Sequence, residues 1–218
     1  MALSKKVGII GTGTVGQTLA KGFLQAGCEV MIGSRDSTKL DKARAEVGGG
    51  LLTGTFSEAA KHGEVVVFAV KGSVAEEALK LAGPSALANK VVIDTTNPIA
   101  DAPPVNGVLQ FFTGPNQSLM EKLQAAAPEA HFVKAWSSVG SPFMINPSFP
   151  GGRPTMFICG NNSGAKATVV RILDEFGWDA EDMGLVEAAR AIEPLCQLWC
   201  IPGLRENRWG HAFKLLKL

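Results

Sequence analysis

Three glycines near the N-terminus have the spacing of a phosphate-binding turn. Gly11, Gly13 and Gly16 follow the apolar run Val7–Ile10 and precede a helical pattern that continues to Gln25. In a strand–turn–helix unit, the first glycine permits a tight turn, the second lets the backbone approach a pyrophosphate, and the third lets the helix pack closely on the strand. The helix N-terminus then offers free N–H groups and a positive dipole end to the phosphates. The motif predicts dinucleotide binding by Gly11, Thr12, Gly13, Thr14, Val15 and Gly16.

The end of the next strand-like run indicates which dinucleotide is bound. An NAD-specific fold normally has Asp or Glu at this position to accept hydrogen bonds from the ribose hydroxyls. This sequence has Gly33-Ser34-Arg35 instead. A serine can donate to a 2′-phosphate and an arginine can bind it with two hydrogen bonds, which predicts NADP. Asp36 is the competing ribose ligand, but its place beside Ser37 is more typical of a helix cap.

Further candidate residues follow the later strands, because ligands of open α/β sheets lie beyond the carboxyl ends of the strands. Ala69, Val70 and Lys71, and then Thr95, Asn97 and Pro98, are expected to line the two halves of the cofactor. Ordinary turn chemistry explains the same residues without a ligand. We interpret Asn97 as orienting the nicotinamide or ribose, with Pro98 holding the loop rigid through a cis bond. A second-substrate surface is predicted at Trp136, Ser137 and Ser138, and Phe143 and Met144 are expected to add an apolar platform.

No group of residues suggests nucleophilic or metal chemistry. Cys28, Cys159, Cys196 and Cys200 show no CxxC or zinc spacing and are expected to be free thiols, mostly buried. Each of the three histidines is expected to be a surface or capping residue. We therefore predict no catalytic side chain and no metal, since in hydride transfer the cofactor carries the chemistry.

The elements that would position these residues alternate between strands and helices. This alternation predicts an α/β fold with a doubly wound, mostly parallel Rossmann sheet of about eight strands. The last strands expected are Thr155–Cys159 and Trp178–Met183. One domain over residues 1–218 is expected, with a small C-terminal helical appendage at 185–218 that is interrupted at Pro202-Gly203.

Local signals add detail to this scheme. Ser73 with Glu76, and Ser118 with Glu121, have the spacing of helix capping boxes. Residues 137–154 contain four prolines and no periodicity, which predicts a long ordered loop or lid.

Composition and charge limit the partners. Lys plus Arg number 21 and Asp plus Glu number 20, so no overall charge favours nucleic acid or a membrane surface. No apolar run approaches the ~20 residues that span a bilayer, and the first strand begins too early for a signal peptide. A cytoplasmic location is expected. The apolar C-terminal stretch around Leu195, Leu198, Trp199 and Ile201 favours a homodimer.

The glycine turn, Gly33-Ser34-Arg35 and Thr95–Pro98 together resemble the NADP oxidoreductases that use a deazaflavin coenzyme, over nearly the whole chain. The resemblance implies that Thr12, Ser34, Arg35 and Lys39 hold the 2′-phosphate. Phe132–Cys159 also resembles the cytoplasmic oxidoreductase domain of the STEAP metalloreductases. Where the deazaflavin enzymes have a histidine after the sixth strand, this chain reads Ala135-Trp136-Ser137.

Three functions remain open at this point. The first is an NADP(H)-dependent oxidoreductase that transfers a hydride between the nicotinamide and a flat ring, a deazaflavin or a flavin. The second is an enzyme similar to pyrroline-carboxylate reductases or hydroxyacid dehydrogenases, which share this first domain. The third is a redox sensor that binds NADPH without turnover.

Overall fold

A computed structural model describes residues 5–218, and its centre is a six-stranded parallel sheet. The strand order β3-β2-β1-β4-β5-β6 is that of a doubly wound dinucleotide-binding sheet, as predicted. The strands are β1 (Lys6–Ile10), β2 (Glu29–Gly33), β3 (Leu52–Gly54), β4 (Val65–Phe68), β5 (Val91–Asp94) and β6 (His131–Lys134).

The prediction of about eight strands in one sheet was wrong. The last two strands, β7 (Thr155–Ile158) and β8 (Asp179–Asp182), pair in parallel with each other as a separate sheet. The two sheets are linked beside β6 by a single antiparallel bridge between Lys134 and Cys159. A single bridge does not make the β7–β8 pair part of the main sheet. Because this bridge is antiparallel, the parallel sheet ends at β6.

Helices cover both faces of the main sheet. They are α1 (Thr14–Gln25), α2 (Ser37–Val47), α3 (Phe56–His62), α4 (Ala75–Ala82), α5 (Leu119–Ala126), α6 (Ser163–Glu175), α7 (Ala189–Ile192) and α8 (Pro194–Glu206). Within residues 5–218, no helix is long and apolar enough to cross a membrane.

Two apolar clusters form the core, one on each face of the sheet. Side chains alternate between the clusters along a strand: Val65 and Val67 of β4 point to one face, and Val66 and Phe68 to the other. All four are buried, which explains why this strand is a continuous apolar run. Val186, Ala189 and Ile192 join the second cluster, so the chain after residue 185 packs into the same core.

Two of the predicted helix caps are confirmed and one is wrong. Asp36 caps α2 by accepting a hydrogen bond from the Thr38 N–H, and Ser118 with Glu121 forms both bonds of a capping box. Ser73 does not cap α4, because it lies inside a short 3₁₀ turn and α4 begins after it without a side-chain cap. Because of this 3₁₀ turn, Val74 rather than Ser73 occupies the N-cap position of α4.

The C-terminal segment also differs from its prediction. Helix α8 continues through Pro202 and Gly203 and ends at Glu206, and its C-cap Asn207 adopts a left-handed conformation with φ of 51°. The Trp209 ring packs directly on Gly203, where a Cβ would collide with it. Residues 207–218 form neither helix nor strand, and this tail runs beside Thr155, whose N–H donates to the Phe213 carbonyl at 2.8 Å.

The four cysteines are free thiols, of which only Cys200 is partly exposed, as expected. Burial raises the pKa of Cys159 to about 12, so this thiol stays protonated near neutral pH.

Candidate functional site

One groove runs along the carboxyl ends of the central strands. Its two parts are cavities of about 580 Å³ and about 610 Å³ that share Gly13 and the segment Ala69–Lys71. Most of the residues predicted for the cofactor line this groove: Gly11, Thr12, Gly13, Thr14, Val15, Ser34, Arg35, Lys39, Ala69, Val70, Lys71, Thr95 and Asn97. Gly16 and Pro98 are not among the lining residues.

The three glycines of the turn have different geometries. Gly11 has φ of 118°, a left-handed value that favours glycine, and a Cβ there would collide with the Ala69 carbonyl. A Cβ on Gly16 would collide with the Gly11 carbonyl, so Gly16 is required for close packing of helix and strand. Gly13 is different, because its φ is −71° and a Cβ would meet no atom within 4 Å. Folding therefore does not need glycine at position 13, and the space beside this residue is open to a bound group.

Helix α1 begins directly at this turn. Gly13 is its N-cap and provides no side-chain cap, and the first turn contains no acidic residue. The Gln17 side chain donates to the Thr12 carbonyl at 2.9 Å and steadies the loop. The open space at Gly13 and the uncapped N–H groups therefore fit a pyrophosphate at this point of the groove.

The other end of the first cavity carries the positive charges. Arg35 and Lys39 line it together with Ser34, which is 8% exposed. The Arg35 guanidinium is 2.6 Å from the carboxylate of Glu77 on α4. Asp36 accepts from both the N–H and the hydroxyl of Thr38, and these bonds hold the pKa of its carboxyl below the usual value. Asp36 is therefore engaged as a helix cap, in agreement with the sequence.

The second cavity ends at the loop after β5. The Thr95 hydroxyl donates to the Phe68 carbonyl at 2.8 Å, and Asp94 accepts from the N–H and the hydroxyl of Thr96 at 2.8 and 2.6 Å. Asn97 donates its side-chain N–H to the Ser137 carbonyl at 2.8 Å. The loop is thus held by hydrogen bonds at three successive residues after β5. The Asn97–Pro98 bond is trans, so the expected cis bond was wrong.

The residues predicted to bind a second substrate lie beneath the surface. Trp136, Ser137 and Ser138 are 1%, 3% and 4% exposed. The Trp136 ring packs against Phe176 with centroids 5.8 Å apart, and Met144 is also buried. Trp136 has φ of 54°, a strained value for a bulky residue, which turns the chain inward after β6. The prediction of an exposed platform at Trp136 and Met144 was wrong, because core packing uses both side chains.

A buried ionic cluster beside the groove was missed by the sequence analysis. Lys134 Nζ lies 2.6 Å from Asp94 Oδ2 and 2.8 Å from Glu193 Oε1, and the three side chains are at most 1% exposed. Burial alone would lower the Lys134 pKa, but the two carboxylates outweigh it and the net pKa is raised, so the ammonium stays charged. The available signal was a lysine inside the otherwise apolar run Phe132–Ala135.

The three histidines lie away from the groove. None of His62, His131 and His211 lines it. His62 lies against the Glu29 carbonyl, and the His211 ring stacks on Trp199 with centroids 5.0 Å apart. The geometry provides a positively charged end, an open glycine turn and a rigid polar loop.

Comparison with known proteins agrees with this geometry. Residues 6–98, from the first strand through the loop after β5, match the family model described as NADP oxidoreductase, coenzyme F420-dependent. A crystal structure from Arthrobacter sp. FB24, provisionally named an F420-dependent NADP-reductase, is 31% identical with a TM-score of 0.88. The alignment covers 97% of this chain and 99% of that one.

The chain belongs to this family of NADP-dependent oxidoreductases. Metalloreductase STEAP3 of Rattus norvegicus is 31% identical over 204 residues, which is 91% of this chain and 38% of that protein. The chain thus spans about two-fifths of the length of this relative. A reductive aminase from Aspergillus terreus, solved with NADPH, is 18% identical with a TM-score of 0.63, over 88% of this chain and 59% of the aminase. At that identity the likeness extends to the fold alone.

Proposed function

We propose that this protein binds NADP(H) along the groove and transfers a hydride between the nicotinamide and a flat ring acceptor, a deazaflavin or a flavin. The observation that carries the proposal is the order of features along one groove. A positive end with Ser34, Arg35 and Lys39 leads past the open turn at Gly13 to the hydrogen-bonded loop Thr95–Asn97. This order matches the order of 2′-phosphate, pyrophosphate and nicotinamide in the cofactor.

Each part of the chain has a defined task in this proposal. Arg35 and Lys39 neutralise the 2′-phosphate, and Ser34 donates a hydrogen bond to it. The N–H groups of the turn and of the first turn of α1 bind the pyrophosphate. Thr95 and Asn97 orient the nicotinamide half. The bound cofactor supplies the hydride, and the protein contributes orientation, worth a large share of the barrier in such reactions.

The family membership and the named relatives support a redox role. The Arthrobacter protein carries an F420-dependent name and STEAP3 a metalloreductase name. Lys71 and Asp101 are the charged residues of the second cavity, and no histidine lines either cavity. Hydride transfer between a nicotinamide and a flavin-like ring relies on the cofactor for its chemistry rather than on a protein acid.

The test is a screen of acceptors with the purified protein under anaerobic conditions. NADPH oxidation is followed with a deazaflavin, with free flavins and with ferric chelates. Turnover with a deazaflavin or a flavin supports the proposal. Turnover only with ferric chelates contradicts the ring acceptor, and tight NADPH binding without oxidation by any of them favours a sensor.

We also propose that the protein is a homodimer that uses its C-terminal segment. Leu198 and Leu204 on α8, and Leu215 and Leu216 in the tail, are exposed apolar side chains of this segment, which an interface between two copies would cover. Light scattering at micromolar concentration should give twice the 22.9 kDa of one chain. A monomeric mass would refute this assembly.

A further inference from the structure

The ammonium of Lys134 is enclosed by oxygen atoms from three parts of the chain. Nζ lies 2.6 Å from Asp94 Oδ2, 2.8 Å from Glu193 Oε1 and 2.8 Å from the Thr96 carbonyl oxygen. The ammonium donates a hydrogen bond to the Thr96 carbonyl and forms ion pairs with the two carboxylates. Lys134 is fully buried, and within residues 5–218 these three oxygens are its polar partners.

Two of these partners belong to the loop at the nicotinamide end of the groove. Asp94 holds the Thr96 N–H and hydroxyl with one oxygen and pairs with Lys134 through the other. Lys134 binds the Thr96 carbonyl on the other side of the same residue. The cluster thus holds both the N–H and the carbonyl group of Thr96 by hydrogen bonds. Thr95 and Asn97, the neighbours of Thr96 in the sequence, line the groove.

The third partner ties the loop to the C-terminal helices. Glu193 joins α7 to α8 and is 1% exposed. Its carboxylate also accepts from the Leu119 and Met120 N–H groups at the start of α5, at 2.9 and 3.0 Å. Two carboxylates and one ammonium leave one excess negative charge, which the N-terminal dipole of α5 offsets. Without Lys134, two buried carboxylates would face each other beside the loop.

We propose that Lys134 is a positioning residue for the nicotinamide. It holds Thr96, and with it Thr95 and Asn97, in the shape that receives the ring, and Glu193 makes the C-terminal helices part of that support. The role rests on the proposed cofactor function. It concerns only one end of the cofactor, because Ser34, Arg35 and Lys39 lie on the segment after β2 and touch no member of the cluster.

The test measures binding of the nicotinamide end of the cofactor separately from binding of its adenosine end. Glu193→Gln keeps the shape of the side chain and removes its charge, and Lys134→Met removes the ammonium. Calorimetry measures the affinity of each variant for NADP⁺ and for the adenosine-end fragment 2′-phosphoadenosine 5′-phosphate. Saturation-transfer NMR with NADP⁺ reports which protons of the ligand contact the protein.

Both variants should bind the fragment within about twofold of wild type and lose about tenfold or more in affinity for NADP⁺. Their NMR spectra should lose the nicotinamide signals and keep the adenine signals. Glu121→Gln is the matched control, because Glu121 also sits at the start of α5 and pairs with Arg190 of α7 but does not contact Lys134. It should leave the ratio of the two affinities unchanged.

Equal losses for NADP⁺ and the fragment in Glu193→Gln, or full nicotinamide signals in that variant, would overturn the positioning role. If Lys134→Met does not fold, the result for Glu193→Gln alone decides whether the positioning role holds. Failure of the proposed function gives a different result, namely a wild-type protein that binds neither compound, and that outcome removes this role as well.

Discussion

Arg35, which lines the positively charged end of the groove, forms an ion pair with Glu77, with Nη1 2.6 Å from Oε1. Arg35 follows β2, whereas Glu77 lies on α4, two elements that are not neighbours in the sequence. Both side chains are about half exposed, so the pair itself contributes little to stability. Its importance is positional, because it shows where the guanidinium rests and which carboxylate a bound phosphate would have to displace.

Replacing Arg35 by Ala should weaken NADPH binding about ten- to a hundredfold and NADH binding much less. A hydrogen bond to a charged group contributes about 1.5–3 kcal/mol, and only NADPH carries the 2′-phosphate. Titration of both cofactors measures the difference. Arg44→Ala is the control, because Arg44 is an exposed residue of α2 that does not line the groove. Equal losses of affinity for NADPH and NADH in Arg35→Ala would contradict the assignment of Arg35 to the 2′-phosphate.

Replacing Glu77 by Gln should make NADPH bind about two- to fivefold more tightly. The change releases Arg35 from an exposed pair worth about 0.2–1 kcal/mol and removes a negative charge near the phosphate. NADH affinity should change less, and the gain should shrink at high salt because the charges are exposed. Glu76→Gln is the neighbouring control. Weaker NADPH binding in Glu77→Gln would mean instead that Glu77 holds Arg35 in its binding position.

Replacing Gly13 by Ala should leave the thermal midpoint nearly unchanged and reduce NADPH affinity about tenfold or more. The backbone at Gly13 is open to any residue and a Cβ meets no protein atom, but the added methyl would occupy the space of the pyrophosphate. For Gly16→Ala we expect the main effect on stability rather than on NADPH affinity. It should lower the stability by about 1–3 kcal/mol, because its Cβ would collide with the Gly11 carbonyl. Thermal unfolding and cofactor titration on both variants check the contrast.

The ion pair between Glu121 and Arg190 should make stability depend on acid pH. Hydrogen bonds from Arg190, together with those from Ser118, lower the pKa of Glu121 from its ordinary 4.5 to about 2. A carboxyl whose pKa is lower in the folded state stabilises the fold above about pH 4.5, and this contribution is lost as the pH falls towards 2.

Glu121→Gln should therefore cost about 1–2 kcal/mol near neutral pH and almost nothing near pH 2. Glutamine can still complete the capping box, so the variant isolates the charge. Denaturant unfolding of both proteins between pH 2 and 7 gives the difference. A cost that does not change with pH would show that packing, rather than charge, is responsible.

The sequence by itself determined the parts of this protein that depend on local patterns. The glycine turn, the six strands of the main sheet, the Asp36 cap and the Ser118–Glu121 capping box follow from residue type and spacing over a few positions. The groove-lining loops were predictable too, because the carboxyl ends of parallel strands share one edge.

Tertiary structure decided the rest. The Asp94–Lys134–Glu193 cluster joins residues up to 99 positions apart, and its members are ordinary charged residues until packing buries them together. Trp136 was expected at the surface because its ring suits a platform, but only the packed core shows that Phe176 occupies its face. The separate sheet of β7 and β8 likewise depends on which partner strand is within reach, and a strand pattern alone does not specify its partner.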